Sequence, residues 1–301
     1  MRRSMKQEKK IENSIRRMEA ADERQYMIDE YYEIYEKQGA PLGAITFHYH
    51  SFYEIIYVLE GEYSSMIENK IYHLKKGDFL LIDRNVMHKY QYEENRQDKS
   101  RRIILWITKE MLDSLSEGKM DLSACFYRHD SCAYHFPIYY DEQLRGYLMK
   151  LAMSECPGME LPDSKGVLDR GYLILFFVYL NSLCSRTEYL FGSEETVSNP
   201  LVERVSAYID EHIGESILVE ELAAQVHMSK YHFLRKFKEL TGVTAHTFIT
   251  NKRLIRACEG LKQGKDIKSV YQETGFSDYS SFLRNFKSAF GVAPGKYKEY
   301  Y

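Results

Sequence analysis

YHFLRKFKELTGVTA at residues 231–245 returns, 49 residues later, as SSFLRNFKSAFGVAP at 280–294. Phe233, Leu234, Arg235, Phe237, Lys238, Gly242 and Val243 match Phe282, Leu283, Arg284, Phe286, Lys287, Gly291 and Val292. A solenoid needs at least about three stacked repeats to close its core, so two copies read as paired modules. On a helical wheel Phe233, Phe237 and Leu240 share one face, with Tyr231, Arg235 and Lys238 opposite. The second copy puts Phe282 and Phe286 inside and Ser280, Arg284 and Lys287 outside. The aromatics are core.

A short helical run precedes each copy: Val219–Val226 before a turn at His227-Met228, and Ile267–Thr274 before Gly275-Phe276-Ser277. Ser229 and Asp278 then stand as N-caps, whose side-chain oxygens accept first-turn amides. Helix, tight turn and capped second helix is the helix-turn-helix layout, whose second helix enters the major groove. A merely solvated face does not explain why one Arg–Lys pair recurs at the same phase. Arg235 and Arg284 are the expected base readers, because a guanidinium can bind guanine bidentately. Tyr231, Tyr279 and Ser280 sit near the helix starts, within reach of bases or phosphates. Lys238, Lys252, Arg253 and Lys287 are expected phosphate clamps, and Lys230 opens the same basic run. Between the copies, Ala245–Leu261 reads as a helix about 25 Å long. Major-groove faces recur about every 34 Å, so such a rod can seat two recognition helices in neighbouring grooves.

Charge agrees with this reading. The 301 residues carry a net charge of −3, which excludes a globally basic nucleic-acid coat. Yet Leu201–Tyr301 is net +3, and Lys230–Arg256 holds seven basic residues against one acidic, Glu239. The opening MRRSMKQEKK has no apolar run after it, unlike a secretory signal. The most apolar stretch, Gly171–Leu183, is shorter than the roughly 20 residues of a membrane span. Five cysteines without a C-x-x-C pair suit reduced thiols. A cytoplasmic protein with no membrane segment is expected.

The first 200 residues divide by texture. Residues 8–36 are charged, free of Gly and Pro, and carry Ile11, Ile15 and Met18 at helical spacing, so 1–40 is expected to be a helical segment. ITFHYH, EIIYVLEGEYSSMI, KIYHL and DFLLID follow between turn signals, predicting an antiparallel β-barrel over 41–140. Helical periodicity returns at Asp141–Glu155 and Leu168–Arg186, giving a helical region at 141–187. Its broad face of Leu168, Tyr172, Leu175, Phe176, Tyr179 and Leu183 either packs on the barrel or forms a dimer seam. Glu188–Pro200 reads as a linker to a DNA-binding unit at 201–301. The fold class is α+β with two domains.

The C-terminal motifs resemble the AraC/XylS transcription regulators: L-A at 222–223, Ser229, F-x-x-x-F-K at 233–238, Gly242, R-L-x-x-A at 253–257, G-F-S-D at 275–278, F-x-R-x-F-K at 282–287 and G-V-A-P-x-x-Y at 291–297. The resemblance covers about 100 residues in order. It implies a bipartite helix-turn-helix domain on double-stranded promoter DNA, a homodimer, and contact with RNA polymerase where the protein is an activator. Three residues depart from the pattern: His227, Gly260 and Tyr271.

His48-Tyr-His50, Glu54 and Gly61, then Gly77 and His88, are similar to the two cupin motifs, although Asp83 and Asn85 replace the usual Pro and Gly. The resemblance implies a cupin-type sensory domain. It gives His48, His50, Glu54 and His88 as the four ligands of metal-bearing cupins. Residues 48, 50 and 54 share parity, so their side chains leave a strand on one face. Such donors suit a transition metal, or equally the hydrogen-bonding groups of a small, possibly sugar-like effector, with Tyr57 adding a stacking or hydroxyl contact. The expectation is an effector pocket of His48, His50, Glu54, Tyr57 and His88, with no resident cofactor and no catalytic residues. The alternative is a metal-dependent cupin enzyme fused to a DNA-binding domain.

Overall fold

The computed structural model describes residues 26–39, 47–90, 100–129, 131–153, 164–190, 196–290 and 292–300. The helix expected over residues 8–36 lies outside the described residues for its first eighteen positions, and its end is corrected. Tyr32–Gln38 is strand β1, paired antiparallel with Arg101–Ile107. Glu and Lys give this string a local helical look, but the partner strand decides. Ile34 and Tyr35 are buried, and Arg101 Nε meets Glu36 Oε1 at 2.8 Å. Tertiary pairing overrides propensity.

Seven further strands follow in the sensory half: β2 Tyr53–Glu60, β3 Glu62–Ile67, β4 Lys70–Lys75, β5 Asp78–Ile82, β6 His88–Tyr90, β7 Arg101–Ile107 and β8 Ala133–His135; β9 is Thr196–Ser198. They form two sheets, β1-β7-β2-β5-β8 and β6-β3-β4-β9, instead of one closed barrel. Between the sheets lie Phe52, Ile56, Tyr63, Tyr72, Leu80, Ile104 and Trp106. The other face of the five-stranded sheet is covered by helices α1 (Lys109–Ser116), α2 (Ile138–Ala152) and α3 (Ser164–Cys184). Burial on both faces explains why β2, β5 and β7 read as almost continuous apolar runs.

Helix α3 is 21 residues long and, by length and composition, apolar enough to cross a membrane, a correction to the shorter stretch read from sequence. Its expected apolar face splits in two. Phe176 and Leu183 are buried with Leu173, Phe177 and Leu180, whereas Leu175 and Tyr179 stay exposed with Val167, Ile174 and Val178. The linker is likewise more structured than expected. Thr196–Ser198 pairs with β4, and Asn199 caps the next helix by accepting the Val202 amide.

The C-terminal part is all helical: α4 Pro200–Glu211, α5 Val219–Gln225, α6 Lys230–Thr241, α7 Ala245–Lys262, α8 Ile267–Glu273, α9 Tyr279–Phe290 and α10 Pro294–Tyr300. Phe233 and Phe237 anchor the first module with Val202, Leu222 and Phe248; Phe282 and Phe286 anchor the second with Leu261, Val270 and Tyr297. Full burial of such a ring contributes roughly 1.5–3 kcal/mol. Two departures from the family pattern acquire reasons. A Cβ on Gly260 would sit 3.0 Å from Val270 Cγ2, so α8 crosses α7 too closely for a larger residue. Tyr271 sets its ring edge-on to Tyr279 at 5.4 Å, so the bulkier side chain is absorbed into an aromatic cluster.

Candidate nucleic-acid interface and ligand group

The caps that start both second helices are in place. Ser229 Oγ accepts the His232 amide, and Asp278 Oδ1 accepts the Ser281 amide at 2.7 Å. With the phenylalanines turned inward, Tyr231, Arg235 and Lys238 are exposed on α6, and Tyr279, Ser280, Arg284 and Lys287 on α9. Tyr231 is 84% exposed, too open to be a packing residue. Lys230 is also exposed and pairs with Glu220 at 2.7 Å.

Two expected phosphate clamps are placed elsewhere. Lys252 Nζ meets Asp210 Oδ2 at 2.7 Å with only 11% of its side chain exposed. Arg253 donates to the carbonyls of Ile213 and Glu215, at 3.2 and 2.5 Å. Both side chains tie α7 to the end of α4 and do not join the exposed basic faces. Their partners lie about forty residues away, where spacing along a single helix cannot reveal them.

The histidines and Glu54 converge, but not along one strand as expected: a bend at Ser51–Phe52 separates the His48–His50 segment from β2, which carries Glu54. His48 and His88 face each other as an antiparallel bridge, exchanging backbone hydrogen bonds of 3.0 and 2.9 Å. Ring centroids lie 4.2 Å apart for His48–His88 and 4.9 Å for His50–His88. Glu54 Oε2 is 3.2 Å from His50 Nε2 and 3.1 Å from His88 Nε2, while Trp106 Nε1 donates to Glu54 Oε1 at 3.0 Å. Tyr57 does not join them. It has the opposite parity to Glu54 and packs at a tilt on Phe79 on the helix-covered face of the sheet, 4.6 Å between centroids. Trp106 is both part of the core between the sheets and the partner that fixes Glu54.

The ring nitrogens define the chemistry of the group. His50 Nδ1 meets the Phe52 carbonyl at 2.8 Å and His88 Nδ1 the Val86 carbonyl at 2.9 Å. A carbonyl only accepts, so each Nδ1 donates to its carbonyl, and Nε2 is the ring atom that each imidazole turns toward Glu54. Burial lowers the His50 pKa, against the opposing pull of the Glu54 hydrogen bond. Burial alone would raise the Glu54 carboxyl, but the neighbouring His50 and His88 imidazoles outweigh it and hold it well below the usual range. Nε2 of His88 is buried and makes no hydrogen bond. The facing ligand atoms of His48, His50 and His88 lie within 4.8 Å of one another. Imidazole nitrogens this close together, beside a carboxylate, suit a cation or the polar groups of a small molecule.

A strand sandwich with a buried polar group, joined to paired helix-turn-helix modules, defines a sensor coupled to a DNA-binding head. Residues 30–132 match the AraC-like ligand binding domain, and residues 222–300 match a helix-turn-helix domain. The chain belongs to the AraC-type transcriptional regulators. A probable transcriptional regulator, LumQ of Photobacterium leiognathi, is 24% identical over 84% of this chain and 92% of its own. An uncharacterized HTH-type transcriptional regulator of Staphylococcus aureus (strain COL) is 26% identical over 80% of this chain, which spans only 31% of that relative's length. Among solved structures, ToxT from Vibrio cholerae O395 is 15% identical with a TM-score of 0.36, covering 90% of this chain and 98% of that one.

Proposed function

We propose that this chain is an effector-controlled regulator that binds promoter DNA in two adjacent major grooves and is not an enzyme. The observation that carries the reading is the pair of exposed, equivalently phased Arg–Lys faces on α6 and α9, each on a capped helix built on buried phenylalanines. Arg235 and Arg284 read bases; Tyr231, Tyr279, Ser280, Lys230, Lys238 and Lys287 meet bases or phosphates. The sensory unit runs through the helical region to about residue 187, with 188–200 as linker and 201–301 as the DNA-binding unit. The outer apolar face of α3 is the homodimer seam, and contact with RNA polymerase follows where the operator places the protein for activation. Such work belongs in the cytoplasm. In a gel shift on the protein's own promoter, Arg235→Ala/Arg284→Ala should lose specific binding; binding equal to the parent sinks the assignment.

The effector group is His48, His50, Glu54 and His88. Imidazole nitrogens beside an ionised carboxylate suit a hydroxyl-rich small molecule such as a sugar, whose O–H groups both donate and accept. A second reading, a divalent transition metal as the effector, is favoured by one observation. Both Nδ1 protons are already committed to carbonyls, the arrangement that orients imidazoles toward a metal. Native mass spectra separate the two. A metal-sized adduct lost in His48→Ala and His50→Ala selects the metal, and a thermal shift with sugars on metal-free protein selects the organic effector.

A further inference from the structure

The strand segments that carry the histidines have a second face, and it is occupied by the DNA-binding modules. In the 48/88 bridge, positions 48, 50 and 88 turn toward Glu54, whereas 47, 49, 87 and 89 turn the other way. Phe47 and Met87 lie in one core cluster with Val202, Phe237 and Phe248 of the first module. The Phe47 amide donates to the Thr241 carbonyl at 3.2 Å. Lys89, only 7% exposed, donates its ammonium to the Leu240 carbonyl and stands 5.8 Å from the centre of the Phe47 ring. These are the last carbonyls of α6, the end of a helix that favours a cation. Tyr49 packs against both module cores, with its ring 5.5 Å from that of Phe290 on α9. The sensor thus grips the C-terminal end of one recognition helix and reaches the other.

We propose that Phe47, Tyr49 and Lys89 are positioning residues for DNA binding, forming a latch that reads the occupancy of the histidine group on the opposite face of the same two-strand ladder. The proposal rests on the reading of His48, His50, Glu54 and His88 as an effector group. One bridge of two residues separates ligand from latch, so a shift that brings His48 and His88 together or apart moves Phe47 and Lys89 with it. The recognition faces of α6 and α9 stay exposed while the latch is closed, so it acts by orienting them and not by covering them.

The test is a double-mutant cycle in the full chain, read as affinity for a fragment of its own promoter at fixed salt. His48→Ala perturbs the histidine group, and Lys89→Met breaks the latch while keeping the buried stem. Each single change should move affinity about fivefold or more, within the usual span of coupling between sites. The double variant should match Lys89→Met alone, because a broken latch no longer reports the histidines. Tyr49→Ala, at a half-buried position, serves as a second latch variant and should give the same non-additivity. Multiplying effects overturn the latch, as does a His48→Ala protein that binds like the parent while Arg235→Ala does not. If Arg235→Ala also binds like the parent, the DNA-reading assignment fails instead, so the two failures are distinguishable.

Discussion

The two helix-turn-helix modules solve the same turn with different residues. Two residues past the end of its first helix, each module needs a left-handed backbone: His227 in the first, at φ 54°, and Gly275 in the second, at φ 69°. Only glycine adopts that region without steric cost. His227 can carry a side chain because it is exposed; Gly275 cannot, because a Cβ there would lie 2.5 Å from the Ile213 carbonyl and 2.9 Å from the Arg253 guanidinium. The second turn is also one residue longer between helix and cap. The first module is free at its turn and held at the far end of its recognition helix; the second is wedged at its turn against the loop after α4. Equal sequence motifs therefore sit under unequal mechanical constraint.

Six substitutions break or sharpen that contrast. Gly275→Ala combines a clash with backbone oxygen and a disfavoured φ, and should destabilise the protein by about 3 kcal/mol or more, visible as a lowered melting temperature. Arg235→Ala and Arg284→Ala should each cost about 1–3 kcal/mol on the specific site, with little change in melting. Unequal losses would rank the modules as readers. His227→Gly relieves left-handed strain and should stabilise by about 1 kcal/mol in chemical denaturation, the opposite sign to the change at Gly275. Last, Lys238→Ala should flatten the salt dependence of DNA binding by about one unit of slope, whereas Lys252→Ala should leave the slope unchanged. A flattened slope for Lys252→Ala would return that residue to the DNA face.

Much of this organisation is legible in sequence because it depends on local period. The 3.6-residue wheel separates Phe233 and Phe237 from Arg235 and Lys238, and alternation puts His48 and His50 on one side of their segment, while a bend at Ser51–Phe52 brings Glu54 to them. Parity also excludes Tyr57, a consequence the sequence reading did not draw. What local period cannot carry is the identity of distant partners. Lys252 and Arg253 look like free cations until Asp210 and the Ile213 and Glu215 carbonyls arrive from α4 and the loop after it. Tyr32–Gln38 looks helical until β7 supplies a ladder for it. Lys89 gives no sequence signal at all, since its acceptor at Leu240 lies in the other half of the chain.

The outward positions of the two recognition helices are alike only at the Arg–Lys pair. Tyr231, His232 and Lys236 in the first correspond to Ser280, Ser281 and Asn285 in the second. A chain with two unlike reading heads in fixed order has a front and a back. On the reading proposed above, the half-site bound by one chain has a direction too, like an arrow. Flipping that half-site in place would turn its chain round on the DNA and present the opposite flank to whatever is bound next door.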